Sequence, residues 1–151
     1  MRDSMCADTP TWSDWQSVYD RTEYRDAAVY KVRIINARGE PFKIGRLFRT
    51  DSEGILNIGQ TSSMEQRRRQ SVTGIQEANG HSSMNLIYYL STHTEFKQLF
   101  NEHQIQFSFL KCKDKQEAVE KEYDLIKTYF KKYGEVPPLN SALPKRYENW
   151  E

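Results

Sequence analysis

Residues 27–35 read AAVYKVRII, an alternation of side chains that predicts a β-strand. One face of this strand would be formed by Ala28, Tyr30, Val32 and Ile34. Residues 54–60 read GILNIGQ and predict a second strand, antiparallel to the first, because turn-forming residues separate the two stretches. The apolar alternation of residues 105–113 predicts a third strand.

Helices are predicted between and around these strands. One begins near Ser62 or Ser63, a second covers residues 82 to about 100, and a third runs from Asp114 to Tyr133, where Gly134 stops it. Residues 1–26 are predicted to form a helical extension, since a cap residue and a proline precede an aromatic stripe of Trp12, Trp15 and Tyr19. The predicted fold class is α+β, with a small three-stranded antiparallel sheet flanked by helices.

Length and composition favour one globular domain over residues 1–151. The chain contains no apolar run near the length of a membrane span, and its N-terminus lacks the basic flank and apolar stretch of a signal peptide, so we expect a cytoplasmic protein. Cys6 and Cys112 are not spaced as metal ligands, and Cys112 is interpreted as a reduced, half-buried thiol.

Charge is distributed unevenly along the chain. Residues 31–69 contain nine Lys and Arg against four Asp and Glu, a net charge of +5, whereas the whole chain has a net charge of +1. This basic stretch surrounds the first two strands, where a polyanion would approach. A solvated basic surface is the alternative interpretation.

Several short motifs occur in one order along the chain. They are Ala28-Val29-Tyr30, then residues 54–61, and then Arg67, His81, Glu122 and Asn140. Together they resemble the active site of the GIY-YIG endonucleases, a family of metal-dependent enzymes that cut nucleic-acid phosphodiester bonds. The resemblance covers about residues 27 to 143, most of the chain.

The resemblance assigns roles to Tyr30, Arg67 and Glu122. Tyr30 would be the general base, although by itself it is an ordinary strand aromatic, and a phenol needs nearby positive charge to lose its proton. Arg67 would hold a phosphate oxygen; it lies eight residues after Gly59, the offset that the family uses, but Arg68 and Arg69 adjoin it.

Glu122 would bind the metal, Mg²⁺ with Mn²⁺ as a substitute. It lies on a predicted apolar helix stripe, where a carboxylate requires a cationic partner. Its neighbours Glu117, Glu120 and Asp124 are expected on flanking or opposite faces, exposed to solvent.

Three further residues are candidates by the same resemblance. Asn140 would orient the helix end or the DNA backbone, and His81 matches a histidine that some members carry near the phosphate or the water. Asn57 stands where the second motif normally has tyrosine; it can hydrogen-bond water or phosphate but cannot act as a base. Residues 36–53 form an insertion between the two motifs, which includes Lys43 in a weaker imitation of the second motif.

The resemblance implies a DNA endonuclease that leaves 5′-phosphate and 3′-hydroxyl ends, with double-stranded DNA as its partner and no membrane association. Specificity would come from the insertion at residues 36–53, from the N-terminal helix or from a homodimer. The alternative is a catalytically weak or inactive module of the same fold that binds nucleic acid or a protein partner, a hypothesis favoured by Asn57.

Overall fold

The main sheet is built around strand β2, Ala28–Ile34, in a computed structural model that describes residues 10–79 and 82–140. Strand β2 pairs antiparallel with β5, Ile55–Thr61, on one side and with β6, Ile105–Lys111, on the other. The three predicted strands are therefore confirmed to within two residues at each end, including the antiparallel pairing of the first two.

A fourth, short strand extends the sheet beyond the three predicted strands. Strand β1, Gln16–Ser17, pairs antiparallel with β6, which gives the order β1-β6-β2-β5. The backbone N–H of Ser13 also donates to the carbonyl of Phe109 at 2.9 Å, and that of Val18 to the carbonyl of Ile105 at 3.0 Å. Residues 10–18 thus provide hydrogen-bond partners for backbone groups along the outer edge of β6.

This pairing makes the predicted N-terminal helix wrong for residues 10–26, in which the structure contains no helix. The aromatic rings instead cover cations on the adjacent strand. The Lys31 ammonium lies 4.5 Å from the centre of the Trp12 ring, and the Arg33 guanidinium lies 4.3 Å from that of Trp15. Contacts with the sheet outweigh the helical spacing of the aromatic residues, because helix propensity is a weak local preference.

The insertion at residues 36–53 contains a small hairpin. Strands β3, Ile44–Gly45, and β4, Thr50–Asp51, pair antiparallel and form a separate two-stranded sheet. Within residues 42–49, strand structure is confined to Ile44–Gly45. The hairpin leads directly into β5.

In the part of the chain that the structure describes, three helices flank the main sheet: α1, Met64–Glu77; α2, Ser82–Thr92; and α3, Lys115–Tyr133. A single 3₁₀ turn, Glu102–Gln104, precedes β6. The predicted bounds of α3 are confirmed, since Asp114 caps its start by accepting from the backbone N–H of Glu117 at 2.8 Å and Gly134 ends it with φ of 75°.

Helix α2 ends eight residues before the predicted limit at residue 100. The hydroxyls of Ser91 and Thr92 donate back to the carbonyl of Tyr88, at 3.1 and 2.8 Å, and such bonds compete with regular helix continuation. None of the helices in the described part of the chain is long and apolar enough to cross a membrane.

The helices bury different faces of the sheet. Helices α1 and α2 pack on the face that bears Tyr30, through the largest apolar cluster, while α3 packs on the opposite face against β5 and β2. Cys112, directly after β6, is a buried free thiol. The architecture is therefore α+β, with helices on both faces of a mostly antiparallel sheet.

A buried ion pair joins α1 to the N-terminal segment. The Arg68 guanidinium donates to both carboxylate oxygens of Glu65, at 2.7 and 2.8 Å, and to the carbonyl of Val18 at 3.1 Å. The backbone N–H of Thr22 donates to the same carboxylate at 3.1 Å. These bonds, led by those from Arg68, lower the pKa of Glu65 to about 2.

The pKa of Glu65 predicts a loss of stability in acid. Because this pKa is lower in the folded chain than in the unfolded chain, the stabilisation is complete above about pH 5 and is lost as the pH falls towards 2, a change of about 3 kcal/mol in the free energy of unfolding. We therefore expect Glu65→Gln to be less stable than the parental chain at pH 7, and this difference to shrink at pH 3, in urea unfolding at both values.

The matched control is Glu77→Gln at the exposed end of the same helix. It should unfold like the parental chain at both pH values. If Glu65→Gln and Glu77→Gln have the same unfolding free energy at pH 7, the buried ion pair does not stabilise the protein.

Candidate active site

The candidate site is centred on Tyr30, in the middle of the central strand. Tyr30 is 3% exposed and lies opposite Gly59 of β5 and Phe109 of β6. The end of its ring lies so close to Gly59 that a Cβ atom at position 59 would overlap the phenol oxygen. Glycine at this position is thus required by the approach of Tyr30, whose hydroxyl reaches across the outer strand β5.

Arg67 is the arginine of α1 whose charge acts on Tyr30. Its positive charge lowers the pKa of the Tyr30 phenol. The Nε atom of Arg67 is buried and has no hydrogen-bond partner among the described residues. Arg68 is instead bound to Glu65, and Arg69 has a 64% exposed side chain.

Each of the three consecutive arginines therefore has a different environment. The sequence distinguishes them only by the resemblance to GIY-YIG enzymes, whose spacing of eight residues after the glycine favours Arg67. The structure places Arg67, and not Arg68, in a position to act on Tyr30. A buried guanidinium nitrogen without a partner can hydrogen-bond an anionic ligand.

Glu122 lies on α3, on the opposite face of the sheet from α1, and its charge also reaches Tyr30. Its negative charge raises the pKa of Tyr30, in opposition to Arg67. The predicted apolar stripe of α3 is confirmed around it, with Ala118, Ile126 and Tyr129 buried. Of the neighbouring acids, Glu120 and Asp124 are exposed, and Glu117 is partly buried.

Burial has the largest effect on the pKa of Tyr30, and it raises this pKa. Burial and the charge of Glu122 together outweigh the lowering effect of Arg67. The pKa of Tyr30 is raised to about 12, so the phenol is neutral at pH 7. A neutral phenol donates and accepts hydrogen bonds but is not yet a base. Proton abstraction by Tyr30 would require additional positive charge near Glu122.

Asn57 and Asn140 are brought together on β5. The side-chain amide of Asn57 donates to Oδ1 of Asn140 at 3.3 Å, while its own Oδ1 is buried without a hydrogen-bond partner in the described ranges. Asn140 also bonds both backbone groups of Ile58, accepting from its N–H at 3.0 Å and donating to its carbonyl at 2.9 Å. Asn140 thus fastens the segment after α3 to β5, one residue before Gly59.

Two other predicted features, His81 and the basic stretch of residues 31–69, are not part of this group. His81 lies outside the described residues. Lys31 and Arg33 alternate with Tyr30 along β2 and so point to the opposite face, where they contact Trp12 and Trp15. The basic stretch of residues 31–69 is therefore divided between several surfaces instead of forming one face around the site.

The side chains at this site limit which metal ion it could hold. Within residues 10–79 and 82–140, no group of three or more His, Cys, Asp and Glu side chains could hold a metal ion. A site with the single carboxylate of Glu122 would leave most ligand positions to water and substrate phosphate, which is the arrangement that Mg²⁺ favours. It does not fit zinc, which takes three or four protein ligands.

The structure contains two buried polar pairs that were not predicted from the sequence. One is Glu65 with Arg68, which was visible as opposite charges three residues apart on a predicted helix. The other is Asp51, fully buried, which accepts from the Tyr129 hydroxyl at 2.9 Å. No sequence signal joins these last two residues, because 78 positions separate them.

No protein-family model matches the chain, and neither a curated protein nor a solved structure matches it.

Proposed function

We propose that the protein is a GIY-YIG-type endonuclease that hydrolyses DNA phosphodiester bonds and leaves 5′-phosphate and 3′-hydroxyl ends. The observation that supports this proposal best is that the charges of Arg67 and Glu122, which lie on two different helices, both act on the Tyr30 phenol. In this proposal the three strands β5, β2 and β6 form the family's core sheet, and β1 is an addition to it.

Each of the three side chains supplies one part of phosphodiester cleavage. Arg67 would hold a non-bridging phosphate oxygen and stabilise the charge that develops in the transition state. The Tyr30 phenol oxygen would hydrogen-bond the attacking water and, after losing its own proton to solvent, accept the proton of that water as a phenolate. Glu122 would hold Mg²⁺ or Mn²⁺, which when bound supplies positive charge and lowers the pKa of a coordinated water.

The second candidate function is a non-catalytic module of the same fold that binds nucleic acid or a protein partner. Asn57 favours it, since an amide bonded to Asn140 replaces the phenol of the second motif. The high pKa of Tyr30 points in the same direction. A homodimer would supply the DNA-binding area that one small domain lacks.

Cleavage of supercoiled plasmid in Mg²⁺, in Mn²⁺ and in excess EDTA tests the proposed function. We expect nicked and linear products that require the metal, and we expect Arg67→Ala to lower the rate by roughly 100-fold or more, about 3 kcal/mol of transition-state stabilisation. The matched control is Arg38→Ala, in an exposed turn, which should weaken DNA binding slightly and flatten its dependence on salt.

Two results would count against the proposal. Equal and small effects of the Arg67 and Arg38 substitutions would indicate a diffuse basic surface. No cleavage by the parental chain in either metal, on single-stranded or double-stranded substrates, would favour the non-catalytic module.

A further inference from the structure

Two large apolar side chains are exposed at the tip of the hairpin formed by β3 and β4. Leu47 is 64% exposed and Phe48 is 74% exposed, in the four-residue connection between the two strands. The backbone N–H of Arg46 donates to the carbonyl of Arg49 at 2.9 Å, which closes this connection. Two neighbouring apolar side chains that are exposed to solvent at a narrow tip are suited to insert into a binding partner.

The tip is held firmly against the end of α3. The Arg46 guanidinium donates to Glu135 at 2.6 Å and to the carbonyl of Val136 at 2.8 Å. The backbone N–H of Phe48 donates to the carbonyl of Tyr133 at 3.2 Å, and the Phe48 ring lies so close to Gly134 that a Cβ atom there would overlap it. A tip fixed in this way loses little conformational entropy when it binds.

The chemistry around the tip favours a polyanion. Four exposed cations belong to the hairpin or to the adjacent end of α3: Lys43, Arg49, Lys131 and Lys132. Of the nearby acids, Asp51 is fully buried and Glu135 is paired with Arg46, while Glu53 is exposed. Apolar side chains flanked by cations are the combination with which proteins open a base step while holding the phosphates.

We propose that Leu47 and Phe48 form a wedge that inserts between stacked base pairs of bound duplex DNA. This inference rests on the proposed function in taking DNA as the ligand, but it concerns binding and not cleavage. It gives the insertion at residues 36–53 a definite role, that of fixing the DNA relative to the catalytic group.

The spacing along α3 predicts where the wedge would act. Glu122 and Tyr133 lie on the same stripe of the helix, eleven residues apart, which corresponds to about 17 Å at 1.5 Å per residue. Along B-DNA, 17 Å corresponds to about 5 base pairs at 3.4 Å each. The opened base step is therefore expected within about 5 base pairs of the bond that is cut, since a helix inclined to the DNA axis would span fewer.

The test measures DNA binding in the presence of EDTA, so that no cleavage is needed. Fluorescein-labelled duplexes report affinity by anisotropy, and duplexes with single 2-aminopurine bases report unstacking by increased fluorescence. The parental chain should increase 2-aminopurine fluorescence. Phe48→Ala should abolish that increase and weaken binding by roughly tenfold, and Leu47→Ala should weaken it less.

The matched control is Leu99→Ala, which removes an equally exposed leucine, 70% exposed, from the turn after α2. It should leave both signals unchanged, and far-ultraviolet circular dichroism should show that all variants are folded. Unchanged 2-aminopurine fluorescence with the parental chain, or equal behaviour of Phe48→Ala and Leu99→Ala, would overturn the wedge.

The two proposals fail in different ways in these assays. Unstacking by a chain that never cuts DNA would support the wedge and contradict the nuclease. Cleavage with parental affinity by a folded Phe48→Ala protein would contradict the wedge and support the nuclease. Binding of the tip to vesicles of phosphatidylserine and phosphatidylcholine, without any effect on 2-aminopurine, would overturn the wedge in favour of a lipid surface.

Discussion

Tyr30→Phe is expected to abolish DNA cleavage while the protein stays folded. The substitution removes the phenol oxygen that would bind the attacking water and, as a phenolate, accept its proton, with almost no change in shape. Gly59 leaves room for the ring in either form, and the buried contacts with Phe109 and α1 are kept. The measurement is the single-turnover rate on plasmid DNA in Mg²⁺, in which a loss of at least about 100-fold is expected.

The control for this experiment is Tyr89→Phe, which removes the hydroxyl of a 58% exposed tyrosine on α2. It should cut at the parental rate. Asn57→Tyr should also be tolerated, with activity held or raised, since the second motif of the GIY-YIG enzymes that the sequence resembles normally has a phenol there. A folded Tyr30→Phe protein that cuts at the parental rate would exclude Tyr30 from the chemistry.

Glu122→Gln is expected to remove metal-dependent cleavage without unfolding the chain. The amide has almost the same shape as the carboxylate but is a much weaker ligand for a hard cation. The same change removes the negative charge that raises the pKa of Tyr30, so a purely electrostatic role of Glu122 would give increased activity. The measurement is the cleavage rate as a function of Mg²⁺ and Mn²⁺ concentration.

The matched control is Asp124→Asn, a neighbouring acid on the exposed side of α3. It should keep the parental rate and the parental dependence on metal. Titration of Mn²⁺ by its paramagnetic resonance signal adds a readout that does not depend on cleavage, with weaker binding expected for Glu122→Gln. Unchanged metal dependence in a folded Glu122→Gln protein would remove Glu122 from the site.

The parts of the fold that sequence predicted correctly are those with local signals. Strands β2, β5 and β6 alternate in side-chain character, and α3 has a cap residue at Asp114 and a glycine at position 134. These signals act within a few residues of the element that they define, so a single chain is sufficient to recognise them.

The parts that sequence could not predict depend on distant partners. Trp12 and Trp15 have helical spacing, but their cations and the edge of β6 lie elsewhere in the chain. The arginines of α1 could not be distinguished for the same reason. The direction of the Arg68 side chain depends on the carbonyl of Val18, which lies 50 residues away in the sequence. For the candidate site, motif order could name Tyr30, Arg67 and Glu122, whereas the opposing effects of burial and charge on Tyr30 required the structure.

The short strand β1 has a consequence for how the protein behaves in concentrated solution. Together with Ser13 and Val18 it occupies the outer edge of β6, a seven-residue strand that contains Phe107 and Phe109. A chain that began after Val18 would expose this edge as a template for intermolecular strand pairing, the first step of aggregation. With only two paired residues, β1 itself is too short to serve as such a template, so the N-terminal segment covers this edge of the sheet without presenting a long new one.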